Sequence, residues 1–150
     1  MTLPAVVERL RRSSAAVGSA AMAIPEGLLG SADLLVGTQD TALALGSGDA
    51  EVLGTPRVLA LAEAATVAAT EGRLDEGATT VGTEIALSHL AASAVGARVR
   101  AEARLSRVDG RRLLFDVAVS QEGGQGTALA RGTVERVVVD RARFTAAARP

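Results

Sequence analysis

Thr55-Pro56-Arg57-Val58-Leu59-Ala60-Leu61-Ala62-Glu63-Ala64-Ala65-Thr66-Val67-Ala68-Ala69-Thr70 is the stretch on which the fold turns. Threonine can cap the free N–H groups at a helix start and proline is favoured at the first helical position, so the spacing predicts a helix from Thr55 to about Thr70. Gly72 stands near its end, where a helix commonly terminates. From Val58 to Thr70 the only charge is Glu63, and Ala60, Ala62, Ala64, Ala65, Ala68 and Ala69 make much of the circumference small. Such a helix invites a sheet to approach closely and wrap it.

The sequence that follows supplies the sheet. Thr79 to Leu90, Arg98 to Val108, Leu113 to Ser120 and Thr127 to Val139 read as strands, separated by turn signals at Asp109-Gly110 and Glu122-Gly123-Gly124. In the second of them Val99, Ala101, Ala103 and Leu105 alternate with Arg98, Arg100, Glu102 and Arg104, the mark of a half-buried strand. Consecutive strands with tight turns make an antiparallel sheet, so the class is α+β: an antiparallel sheet wrapped around one long central helix. Upstream, Leu34-Leu35-Val36 reads as a short strand and Thr41 to Leu45 as a weaker one, with a turn at Gly46-Ser47-Gly48-Asp49. Residues 5–23 read as an extra N-terminal helix with Val6 and Leu10 on one side, ended by Pro25 and Gly27. The expected division is an N-terminal helical extension over 1–25, one domain over 26–145 and a frayed tail over 146–150, with fraying expected from Thr145.

Composition narrows the function. At 150 residues the chain fits one domain, and nearly half of its residues are apolar, enough for a real core. Phe115 and Phe144 are the only aromatic residues, so close packing must come from small side chains. A net charge of -1, basic residues spread along the chain and the lack of stacking aromatics argue against nucleic acid. Cysteine is absent, which excludes disulfides and thiolate chemistry, and a single histidine leaves no His-rich metal cluster. The uncharged stretch from Ser13 to Pro25 is too short and alanine-rich to span a bilayer, so no membrane partner is expected and the cytoplasm is the default location.

Three residue types carry candidate chemistry. His89, the only histidine, ends the stretch Val81-Gly82-Thr83-Glu84-Ile85-Ala86-Leu87-Ser88-His89, and alternation puts it on one face with Val81, Ile85 and Leu87. A titratable ring aimed at a core suits a proton shuttle near neutral pH, or is simply a satisfied core histidine. Glu63 in its alanine-lined helix is desolvated, a setting enriched at functional sites; it can act as nucleophile, as a base for water, or as a group that orients Thr55 and His89. Thr55 has a plain alternative as an N-cap. Together a hydroxyl, a carboxylate and an imidazole are the parts of a hydrolytic site. Gly82 lets a ligand come close to the backbone or marks a bulge. The arginines Arg98, Arg100 and Arg104 read as a solvated strand face.

Five fragments, in this order and spacing, carry a resemblance to a known family: Gly27-Leu28-Leu29-Gly30-Ser31-Ala32, Gly54-Thr55-Pro56-Arg57-Val58-Leu59-Ala60-Leu61-Ala62-Glu63-Ala64-Ala65, Thr80-Val81-Gly82-Thr83 continuing to His89, Val108-Asp109-Gly110-Arg111, and Gly132-Thr133-Val134-Glu135-Arg136. The stretch from about Gly27 to Phe144 resembles the hotdog-fold thioesterases, and among them the fluoroacetyl-CoA thioesterase-like family. The resemblance implies a catalytic group of Thr55, Glu63 and His89, with the Gly82 N–H at the thioester carbonyl and Arg136 near the CoA. It further implies an acyl-CoA substrate with a small or short acyl group, a homodimer with sites near the subunit interface, and no metal or redox cofactor, CoA being part of the substrate. Two departures accompany it: Val134 stands where the family often has histidine, and Asp49, Ala50, Glu51 and Val52 stand where the fluoroacetyl enzyme carries lid phenylalanines. A non-catalytic acyl-CoA-binding module or regulator on the same fold is the alternative.

Overall fold

The computed structural model of the chain describes residues 24–124 and 128–150. The expected helix over residues 5–23 falls outside them. Five strands form one antiparallel sheet: β1 (Leu29–Leu35), β2 (Ala78–His89), β3 (Arg98–Asp109), β4 (Arg112–Gln121) and β5 (Ala128–Asp140). Helix α2 (Thr55–Ala69) crosses the sheet, preceded by the short helix α1 (Ala42–Leu45) and followed, after the last strand, by α3 (Arg141–Ala147).

The spatial order is β1-β3-β4-β5-β2. β3 and β4 form the hairpin announced by Asp109-Gly110, and β4 pairs with β5 in the same sense. β2 does not pair with the strand that follows it. It lies at the sheet edge against β5, His89 opposite Ala130 and Gly82 opposite Arg136, while residues 90–97 carry the chain to the other side. The strand that follows the central helix is therefore an edge strand of this sheet, with no strand paired to its other side among the described residues.

Several local expectations need correcting. Thr41 to Leu45 is not a strand: the Thr41 hydroxyl accepts from the Ala44 N–H and Gly46 closes the turn at φ +71°, a conformation glycine adopts without a side-chain clash, so a helical turn wins. Gly54, not Thr55, is the N-cap of α2, and its carbonyl accepts from Arg57 and Val58. The Thr55 side chain is thereby released from capping. Helix α3 occupies 141–147, where fraying was expected to begin at Thr145, because the Asp140 carboxylate accepts from the Arg143 N–H and starts a new helix.

Packing follows from the small residues. Ala62, Ala65, Ala101 and Ala103 are fully buried between helix and sheet, with Val58, Leu61, Leu105, Leu113, Val119 and the single core aromatic, Phe115. Gly30 in β1 shows how close the layers come: a β-carbon there would overlap the Ala65 carbonyl and the Ala69 backbone. Glycine is what allows the helix to rest on the strand.

β2 also carries an irregularity that decides which side chains face the helix. Gly82 pairs with Arg136 but Glu84 pairs with Glu135, so Thr83 is an extra residue, a β-bulge. Thr80 and Gly82 face inward before it, and Ile85, Leu87 and His89 face inward after it. Val81 is thus not on the face of His89, because simple alternation fails across the bulge.

Candidate active site

Two clusters of polar side chains lie where α2 meets β2. At the start of the helix, Thr55 Oγ1 and His89 Nδ1 are 2.9 Å apart. The helix start is held in place by a second contact: Arg57 Nε donates to the buried Asp40 carboxylate at 3.1 Å, whose other oxygen accepts from the Gly37 N–H at 2.8 Å. The other ring nitrogen, His89 Nε2, is buried and has no hydrogen-bond partner among the described residues. A buried imidazole nitrogen without a partner is costly in either tautomer, since it is an orphan donor in one and an orphan acceptor in the other.

Two helical turns along, Glu63 Oε2 accepts from an Arg136 guanidinium nitrogen at 2.8 Å. The same guanidinium donates through Nε to Thr80 Oγ1 at 2.8 Å and through its other terminal nitrogen to the Thr80 carbonyl at 3.0 Å. Arg136 is nearly fully buried, and burial draws its guanidinium below the ordinary arginine value, an effect countered by the neighbouring Glu63 charge. Gly82 completes the cluster: a β-carbon there would stand 2.5 Å from Glu63 Oε2 and 3.5 Å from Arg136. A side chain at this position would displace the Glu63 carboxylate from the place where it now meets the guanidinium.

All five residues singled out in the sequence therefore face the helix–sheet seam, but in two groups. Thr55 meets His89; Glu63 meets Arg136 and Gly82. Along the helix Thr55 and Glu63 are about 12 Å apart at 1.5 Å per residue, and along β2 Gly82 and His89 are about 20 Å apart. Glu63 and His89 of one chain are not hydrogen-bonded to each other. Thr80, which holds two of the guanidinium nitrogens, was not singled out; its only signal in the sequence is that it shares a strand face with Gly82. The outward arginines behave as a solvated face: Arg100 bonds Ser31 at 2.9 Å and pairs with Asp33, both largely exposed. Val134, at the position where histidine was a common alternative, is buried against the core opposite Phe115.

Among the described residues no group of three or more His, Cys, Asp or Glu is placed to hold a metal ion, and no helix is long and apolar enough to cross a membrane.

Comparison with known proteins agrees with this architecture. A family model described as fluoroacetyl-CoA-specific thioesterase matches residues 36–142. The solved fluoroacetyl-CoA thioesterase FlK is 29% identical over 83% of this chain and 94% of its own, with a TM-score of 0.74. A Thermus thermophilus protein described as a thioesterase superfamily member is 28% identical over 83% of this chain and 90% of its own, also at 0.74. A hot-dog-like protein from Thermanaerovibrio acidaminovorans is 25% identical over the same shares, at 0.73. No curated protein matches. With the family match running from just after β1 into α3, the chain belongs to the fluoroacetyl-CoA-specific thioesterase family and is a hotdog-fold thioester hydrolase.

Proposed function

We propose that the chain hydrolyses a small acyl-CoA thioester to the free acid and CoA, using Thr55, His89 and Glu63, and that it does so as a homodimer. The observation that carries the proposal is the 2.9 Å contact between the Thr55 hydroxyl and a half-buried imidazole. A hydroxyl within hydrogen-bond reach of a base is the arrangement of an activated nucleophile. In this reading Thr55 Oγ1 gives its proton to His89 Nδ1 as it attacks the thioester carbon. The carbonyl oxygen gathers negative charge beside the N–H of the partner's Gly82, which the dimer described below brings to His89, and the C–S bond breaks as the imidazolium returns the proton to the CoA sulfur. Water then cleaves the acyl-threonine by the same route, releasing the acid and restoring the hydroxyl.

Glu63 fits the orienting role best. Its charge is held by Arg136 at 2.8 Å, which weakens it as a nucleophile, and only Oε2 is used in that bond. His89 Nε2 needs an acceptor, and within one chain Glu63 is too far to be it. A second copy answers both needs. No described strand pairs with the outer side of β2, which is 12 residues long and so a template for antiparallel pairing with another β2. A two-fold axis near Ile85 and Ala86 sets His89 against the partner's Gly82, and so beside the partner's Glu63. The hydrolytic triad is then completed across the interface, twice per dimer.

The acyl group is placed in the small class by kinship: variants of FlK have been solved with fluoroacetate and CoA and with acetyl-CoA. The chemistry needs no metal or redox cofactor, and a CoA ester as substrate fits a cytoplasmic enzyme. Free-thiol release from acetyl-, fluoroacetyl-, medium-chain and aryl-CoA esters tests the proposal. The expected result is turnover of the smallest esters, lost by about a hundredfold or more in His89→Ala. Saturable CoA-ester binding without turnover of any ester would instead make the chain a binding module.

A further inference from the structure

An odd interval separates Gly82 from His89, and in a regular strand residues so spaced point to opposite faces of the sheet. Both nevertheless face α2, Gly82 against Glu63 and His89 against Thr55. The extra residue Thr83 is what reconciles them, since a bulge advances one strand by a residue relative to its partner. The bulge is also pinned from the outer face of the sheet. Thr83 Oγ1 donates to Glu135 Oε2 at 2.7 Å and lies 3.3 Å from the Glu135 carbonyl. Glu135 is nearly fully buried, and its other carboxylate oxygen accepts from Arg112 at 2.7 Å through Nε and through a terminal nitrogen. Arg112 in turn reaches Asp109 at 3.4 Å. Glu135 is the residue before Arg136, so the outer clamp and the inner guanidinium are carried by consecutive positions of β5.

From this geometry we infer that Thr83, Glu135 and Arg112 form a positioning group: they fix the bulge that brings Gly82 and His89 onto one face and sets Arg136 against Glu63. None of the three touches the reacting atoms; they act through the register of β2 on β5. The inference rests on the catalytic reading of the site for its effect on turnover, but its effect on the bulge stands apart from that reading. A purely stabilising clamp would change the melting temperature and leave the inner face unchanged, whereas a positioning clamp transmits its loss to Arg136.

The test uses the full chain with Thr83→Val, which keeps the shape and removes the donor, Thr83→Ser, which keeps the donor, and Glu135→Gln as a second route if the valine variant folds poorly. Hydrogen exchange of the Arg136 Nε–H, observed by NMR, reads the inner face directly, and kinetics on acetyl-CoA read the site. In Thr83→Val the exchange is expected to quicken by about tenfold and kcat to fall by about tenfold with KM changed by less than about threefold, while Thr83→Ser stays within about twofold of the unsubstituted chain on both. Exchange that stays within about twofold in Thr83→Val, or in Glu135→Gln where that variant replaces it, overturns the inference whatever happens to the melting temperature. So does quickened exchange with kcat unchanged in a chain that turns over acetyl-CoA. If the unsubstituted chain releases no thiol from any ester, the function proposed above fails, and the exchange measurement alone decides for or against the clamp.

Discussion

Gly82 is the residue at which the site has least room. A methyl group there would press on the Glu63 carboxylate at 2.5 Å, and the carboxylate cannot withdraw without leaving Arg136 buried beside Thr80 with its charge unmatched. Gly82→Ala is accordingly expected to lower kcat on acetyl-CoA by about tenfold or more while costing about 1–3 kcal/mol of stability, readable by thiol release and by urea unfolding. An alanine variant with unchanged kcat would remove Gly82 from the site. Glu63→Ala is expected to be worse than Glu63→Gln for stability, by about 1–2 kcal/mol, because the amide oxygen still accepts from the guanidinium and the methyl group does not; comparison of the two unfolding curves checks this. Much of the site was legible at this scale. A lone histidine on an apolar face, a lone carboxylate on an alanine helix and a threonine ahead of proline each needed a reason; the resemblance grouped all three, whereas within one chain Thr55 meets His89 and Glu63 meets Arg136. What the sequence hid was which hydroxyl role Thr55 takes. That depended on Gly54 accepting the cap, a choice set by backbone geometry rather than by residue type.

At the scale of elements, the central helix and the four following strands were readable because their signals are strong and local: proline at a helix start, strict alternation in β3, and tight turns at Asp109-Gly110 and Glu122-Gly123-Gly124. The path of β2 was not. Consecutive strands are commonly neighbours, and nothing in residues 90–97 announces that the chain crosses to the far side and leaves β2 at the edge. The bulge was equally silent, since a threonine inside a strand fits regular alternation as well as an inserted position, and so Val81 was set on the wrong face. The packing of α2 on β1 offers a direct check of the layer spacing. Gly30→Ala would force a β-carbon into the Ala65 carbonyl and the Ala69 backbone, neither of which can yield as a side chain does. It is expected to destabilise by about 1–3 kcal/mol or more, seen as a lower urea midpoint with an unchanged slope. An unchanged midpoint would mean that helix and strand can separate freely at this point. Phe115→Ala removes the one aromatic side chain of the core and is expected to cost about 3–5 kcal/mol in the same measurement.

In the dimer proposed for the whole molecule, one chain holds two half-sites, and the imidazole of one copy works with the carboxylate of another. Among the described residues, the buried Nε2 of His89 has no partner, the Glu63 carboxylate makes one bond and no strand pairs with the outer side of β2, and all three point the same way. Mixing two inactive variants decides whether the site is shared. His89→Ala and Glu63→Ala, each shown to be dimeric and inactive by itself, are unfolded together and refolded, and thiol release from acetyl-CoA is measured. If the triad spans two copies, half of the dimers formed are mixed and each mixed dimer carries one site with both residues intact, so activity is expected to return to about a quarter of the unsubstituted level. If each triad belongs to one chain, every site in the mixture lacks a residue; activity that stays at the level of the separate variants, with mixed dimers demonstrably present, would rule out a shared site.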